Sequence, residues 1–169
     1  MSDSSAVMRR FLVRFVTLLV GFGLLLLLVP EIQEPAQVAF ARLLATSLTA
    51  LGWSGVHRWD VLVDFPGGGF AIGAECTGLS LLALLLAFVV AYPAPARARL
   101  VGLAWGAVVL FVANLVRLVS CAYVMRYRPE WFTATHEYVW QIGLVGLTFA
   151  LIALWARGVT PEVGARGRG

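Results

Sequence analysis

Gly73-Ala74-Glu75-Cys76-Thr77-Gly78-Leu79-Ser80 joins a polar, strand-like segment to an apolar run that ends at Pro93, and how it is read decides the fold. Upstream, Trp59, Val61, Val63 and Phe65 alternate with Arg58, Asp60, Leu62 and Asp64. This period of two, followed by Pro66-Gly67-Gly68-Gly69 and Phe70-Ala71-Ile72, predicts a short β-hairpin running straight into Cys76. Downstream, Thr77 to Tyr92 carries no charge and is stopped by Pro93 and Pro95, as expected of a helix inside a bilayer. The octapeptide therefore marks the place where a water-facing segment enters the membrane.

The rest of the chain agrees with that boundary. Its 169 residues are 60% hydrophobic, with a mean hydropathy of +0.87. Apolar runs at 11–29, 77–92, 100–126 and 136–156 are suited to cross a hydrocarbon core of roughly 30 Å. The expectation is a single all-α integral membrane domain over residues 1–169, with four transmembrane helices, an interfacial helix outside the cytoplasm and the short hairpin. Phe11 to Val29 exceeds the roughly 7–15 apolar residues of a signal peptide, and no small-residue cleavage site follows it, so it is expected to be a retained span. Arg14, one turn inside, can snorkel to the interface.

In the outer segment 31–75, Phe40, Leu44, Leu48 and Leu51 share one side of a helical pattern that Gln37, Arg42, Thr46 and Thr49 interrupt. Pro35 suits its first turn and Gly52 its end. These polar interruptions favour a helix lying on the outer face over a fifth span.

All 13 basic residues are arginines, and their positions orient the chain. With the amino terminus inside, Arg9, Arg10, Arg97, Arg99, Arg157, Arg166 and Arg168 are cytoplasmic, while Arg42, Arg58, Arg126 and Arg128 lie outside among most of the acids. The bias predicts a multi-pass protein of the inner or plasma membrane with both termini inside. The net charge of +4 thus needs no nucleic acid to explain it. Two cysteines and two histidines fit no zinc spacing, so neither metal nor cofactor is expected. Gly102 and Gly106 form a GxxxG match, which packing inside the bundle explains as well as dimerisation.

In this topology Cys76, Arg117 and His136 all belong to the outer half of the membrane. Arg117 lies nine residues before Arg126, about 13 Å along the helix. A charge at that depth costs about 2.5–3.5 kcal/mol on insertion scales and calls for a partner. A cysteine beside a helix start and a guanidinium is expected to have a lowered pKa and to act as a nucleophile. The histidine would serve as general base and acid, and the arginine fork would hold an oxyanion. Each residue also has a structural reading: Cys76 as packing, His136 as an interfacial anchor, Arg117 as a partner of Glu75, Glu137 or a lipid phosphate. Cys121, one turn after Arg117, is open to three readings: nucleophile, disulfide partner of Cys76, or packing residue. Its mid-helix position, without an amino-terminal dipole, favours packing. Asn114, one turn before Arg117, would orient Arg117 or a substrate carbonyl, or else form an interhelical hydrogen bond.

At these residues the chain resembles the exosortase and archaeosortase family of membrane cysteine transpeptidases. Glu75-Cys76-Thr77-Gly78-Leu79 is similar to the family's cysteine-serine/asparagine-glycine motif, with Thr77 at the serine or asparagine position. Asn114-Leu115-Val116-Arg117-Leu118 resembles its asparagine-x-x-arginine motif, and His136 heads the closing helix as the family histidine does. The resemblance covers residues 54–157 and is nearest to the small bacterial members. It implies Cys76, Arg117 and His136 as catalytic residues, supported by Glu75, Thr77, Gly78 and Asn114. It also implies partners: exported proteins carrying a carboxy-terminal sorting tail made of a short motif, a membrane helix and an arginine-rich end. The tail would be cut through a thioester on Cys76 and the protein passed to a lipid or glycan acceptor. The competing expectation is a non-enzymatic scaffold in which Arg117 and His136 hold helices together.

Overall fold

The computed structural model describes residues 2–159, with side chains from residue 5 onward. Arg166 and Arg168, assigned above to the cytoplasmic side, lie outside the described residues. In chain order the elements are α1 (Ser2–Leu28), a 3₁₀ turn (Pro30–Ile32), α2 (Glu34–Ala50), β1 (His57–Trp59), β2 (Leu62–Phe65) and β3 (Gly68–Ala71). A second 3₁₀ turn (Ala74–Cys76) leads into α3 (Leu79–Ala91), and α4 (Ala96–Tyr127) follows. A third 3₁₀ turn (Pro129–Trp131) and a wide π turn (Ala134–Val139) then lead into α5 (Trp140–Gly158).

Three stretches are helical, long and apolar enough to cross a membrane: Ser5–Leu28, Ala96–Tyr127 and Pro129–Gly158. The second expected span, 77–92, has only 13 helical residues, because Thr77 and Gly78 belong to the turn that precedes α3. Apolar composition concealed that break. α2 is not among the helices long and apolar enough to cross.

Helices α1, α3, α4 and α5 pack together. Phe88 of α3 meets Phe11 and Phe15 of α1 edge-on at 5.4 and 5.9 Å. Leu85 and Val89 of α3, Leu110 of α4 and Leu151 and Ile152 of α5 form a core. The GxxxG glycines serve this bundle. A Cβ on Gly106 would stand 2.5 Å from Leu85 Cδ2, and one on Gly102 would collide with the Trp155 indole.

A second core closes the opposite end. Phe40, Ala41, Leu44 and Leu48 of α2 pack with Trp53, Val63, Phe65, Ile72 and Cys76 against Leu118 and Ala122 of α4. Leu44 and Leu48 are fully buried, and each such side chain stabilises by about 1.5–3 kcal/mol relative to exposure to water. Leu51, expected on the same face, follows the last turn of α2 and is exposed.

In place of a hairpin there is a three-stranded antiparallel sheet, ordered β1-β2-β3. Trp59 pairs with Leu62, so Asp60 and Val61 form a two-residue turn inside what looked like one strand. Asp60 takes a left-handed φ of 52°, which a short polar side chain tolerates better than a bulky one. The turn breaks the alternation: Val63 and Phe65 are buried as expected, but Trp59 is 59% exposed. Pro66 and Gly67, the latter at φ 99°, make the second turn and return the chain towards Cys76.

Candidate active site

Cys76 ends a 3₁₀ turn whose Cys76 and Thr77 N–H groups donate to the Gly73 and Ala74 carbonyls at 3.0 and 3.2 Å. Thr77 secures the turn from both sides: its Oγ1 donates to the Ala74 carbonyl at 2.7 Å and accepts the Leu79 N–H at 3.3 Å. Gly78 then adopts φ 73°, a left-handed conformation that costs other residues strain, and so redirects the chain into α3. The turn is also held from α4. Asn114 Nδ2 donates to the Cys76 carbonyl at 2.7 Å, and Arg117 Nη1 donates to the Glu75 carbonyl at 3.1 Å. Asn114 and Arg117 share a face because they are three residues apart on one helix.

Arg117 is 2% exposed. Among the described residues no carboxylate lies within 4.0 Å of it; the one ion pair joins Arg128 and Glu130 at the surface. Its partners are the Glu75 carbonyl and His136, whose Nε2 lies 3.3 Å from Nη2. Glu75 thus contributes its backbone to Arg117, while its carboxylate stands 3.9 Å from the Cys76 sulfur.

His136 Nε2 is also 3.3 Å from Cys76 Sγ. A guanidinium can only donate, so Nε2 presents its lone pair and the ring hydrogen of the neutral imidazole sits on Nδ1. Thiol and guanidinium therefore converge on one acceptor atom. His136 comes from the π turn, the kind of local widening often found at functional sites. Its ring lies against that of Phe132, with centroids 5.5 Å apart and planes 13° from parallel. Phe132 was not singled out in the sequence; its signal was an aromatic four residues before a histidine at a helix start.

The thiol differs from expectation. Cys76 is 1% exposed, shut among the apolar side chains of the second core. α3 begins only at Leu79, whose N–H is taken by Thr77 Oγ1, so no free helix end faces the sulfur. Cys121 is buried and, like Cys76, a free thiol; only Cys76 meets His136. Asn114 Oδ1 and Arg117 Nε are buried without a partner. Among the described residues no three His, Cys, Asp or Glu side chains gather where they could hold a metal ion.

The family model for transmembrane exosortase (Exosortase_EpsH) matches residues 4–157, nearly the whole described chain. The chain belongs to the transmembrane exosortase family. This exosortase-family chain is accordingly a transmembrane protein, and the family's activity is membrane-embedded transpeptidation on exported proteins with sorting signals. No curated protein and no solved structure gave a significant match.

Proposed function

We propose that this chain cleaves the carboxy-terminal sorting tail of exported proteins through a thioester on Cys76 and transfers them to a lipid or glycan acceptor outside the cytoplasm. One observation carries the reading: Cys76 Sγ and Arg117 Nη2 both lie 3.3 Å from His136 Nε2. In the first step Nε2 takes the thiol proton as the sulfur attacks the scissile carbonyl carbon. Once protonated, Nε2 no longer accepts from Arg117, and the released N–H turns to the oxyanion forming beside it. The Nε2 proton then passes to the leaving amine as the C–N bond breaks. An acceptor hydroxyl or amine attacks the thioester, gives its proton to Nε2, and the thiolate recovers it when the C–S bond breaks. Base, acid and oxyanion donor are thus coupled through one lone pair.

The membrane arrangement in this proposal has α1, α3, α4 and α5 crossing, both termini inside, and α2 with the sheet outside. α3 is about 20 Å long against a core of roughly 30 Å, so the Cys76 turn lies about 10 Å below the outer boundary. Arg117, about 13 Å from Arg126, is at a similar depth. A tail helix lying beside the bundle would bring its motif to that level.

A second reading has its own support. Arg117 and Asn114 both hold backbone carbonyls of the Cys76 turn, as purely structural residues would in a scaffold. Arg117→Lys separates the two. An ammonium can retain the Glu75 carbonyl, but its single nitrogen does not reproduce the fork that serves that carbonyl through Nη1 and the His136 side through Nη2. Loss of one oxyanion donor costs about 2.7–4 kcal/mol, a factor of roughly 10²–10³ in rate. Arg117→Lys is expected to accumulate in the membrane normally and process tails at least about a hundredfold more slowly. Cys76→Ser is expected to abolish processing, and Cys121→Ser to leave most of it. Near-normal turnover in Arg117→Lys would return Arg117 to the structural role.

A further inference from the structure

A catalytic histidine beside a nucleophile is usually aimed by a third group, most often an acceptor on its other ring nitrogen. His136 has no such group. Among the described residues no carboxylate lies within 4.0 Å of it, and both of its polar contacts are at Nε2. Glu137, its sequence neighbour, is exposed, and among the described residues Nδ1 has no hydrogen-bond partner. What meets the rest of the ring is Phe132, nearly parallel at 5.5 Å between centroids. Phe132 is in turn braced by Phe70 of β3, 5.5 Å away and tilted by 44°.

We infer that Phe132 is the positioning residue for His136, fixing by stacking the ring plane that other cysteine-histidine sites fix by a hydrogen bond. The inference rests on the cysteine-histidine reading above. The histidine χ2 torsion is broad, so a ring with no acceptor at Nδ1 can swing out of line unless a surface holds it. A face contact holds the plane, and the two donors at Nε2 select which edge of the ring points to the sulfur. The bracing by Phe70 ties that plane to the sheet, whose last strand runs directly into the Cys76 turn. Base and nucleophile are thereby referred to the same element, although they lie 60 residues apart in sequence. The arrangement also leaves the Nδ1 hydrogen without a carboxylate acceptor.

The test uses the full chain in membranes with Cys121→Ser, and iodoacetamide as the probe of Cys76. At neutral pH, His136→Gln is expected to slow alkylation by removing the base. Phe132→Leu, which keeps apolar bulk but loses the flat face, is expected to slow it by about 2–13-fold, the factor contributed by one stacked aromatic pair. Phe132→Tyr is expected to restore the rate. In the His136→Gln background Phe132→Leu is expected to change nothing further, since its effect runs through the imidazole. Nitrogen-15 spectra of the histidines, with His57 replaced, should show one Nδ1–H tautomer in the parent and an averaged signal in Phe132→Leu. Equal slowing by Phe132→Leu with and without His136 would overturn the inference, and so would faster alkylation, which would make Phe132 a mere cover. An unchanged rate in His136→Gln would instead overturn the cysteine-histidine reading itself.

Discussion

At the scale of the residue, Cys76 is shut under the α2 and sheet core, where its sulfur meets a lone pair on His136 and no free helix end. A bulky maleimide is thus expected to label it far more slowly than iodoacetamide does in the Cys121→Ser background, and equal rates would show that the cover stands open. The sequence led to the expectation of a helix start beside the thiol for a physical reason. Arg117 and the apolar run after Cys76 are visible in one dimension, but the lid formed by Phe40, Leu48 and Ile72 is tertiary. The trio itself was legible, because an arginine, a cysteine and a histidine in apolar runs are too costly or too reactive to be casual. Phe132 was not, since an aromatic residue near a membrane helix end has many ordinary uses.

At the scale of the element, the decisive piece is the turn from Gly73 to Gly78. Its course depends on Gly78 at φ 73°, which delivers Cys76 to α4 and then starts α3. Space is not the constraint, since a Cβ there would meet the Asn114 side chain at an ordinary 3.5 Å. The constraint is the backbone, where an L side chain costs about 1–2 kcal/mol. Gly78→Ala is expected to lower stability by that amount and to reduce processing by moving the Cys76 carbonyl off Asn114. Gly78→Asn, which tolerates the left-handed region, is expected to lose less. Thermal unfolding in detergent and tail-processing assays check the order, and an Ala variant equal to the parent would show that the turn relaxes without cost. Helices were the most legible elements, because Pro35, Gly52, Pro93 and Pro95 punctuate strong apolar patterns. The sheet was half legible: Val63 and Phe65 kept their predicted side, but a turn at Asp60 with no glycine left no mark in the alternation. The start of α3 was hidden because threonine and glycine before a leucine run extend the apolar pattern without extending the helix.

At the scale of the whole molecule, exposed aromatic rings mark the end that carries the site. Trp59, Tyr127, Trp131 and Tyr138 all stand open there, as interfacial anchors do. At the other end Trp155 Nε1 donates to the Ala98 carbonyl and Arg99 Nη2 to the Tyr92 carbonyl, both at 3.0 Å, fastening the loop between α3 and α4. Sidedness is testable with single cysteines in a Cys76→Ala, Cys121→Ala background. A membrane-impermeant maleimide is expected to label Ser54→Cys in intact cells and to leave Ala96→Cys unlabelled until the membrane is opened. Both positions are exposed on the surface, so accessibility within the fold does not bias the comparison. The reverse pattern would turn the site towards the cytoplasm.

The shortness of α3 reaches beyond the protein into its solvent. A 13-residue helix beside partners of 24, 32 and 30 residues leaves a notch of about 150 Å³ where it starts, lined by Phe40, Gly78, Leu79, Leu82, Leu110 and Phe111, which acyl chains can enter. Lipids bend to such a mismatch at a cost of a fraction of a kcal/mol per ångström, and the cost grows with the thickness they would otherwise keep. The host bilayer thereby bears on the site, since Gly78 at the notch lies two residues after Cys76. In vesicles of progressively longer-chain phosphatidylcholine, Cys76 alkylation and tail cleavage are expected to fall together while the protein stays folded. Rates indifferent to chain length would mean that the notch is filled by protein, and that the reaction carries its own floor wherever the chain is inserted.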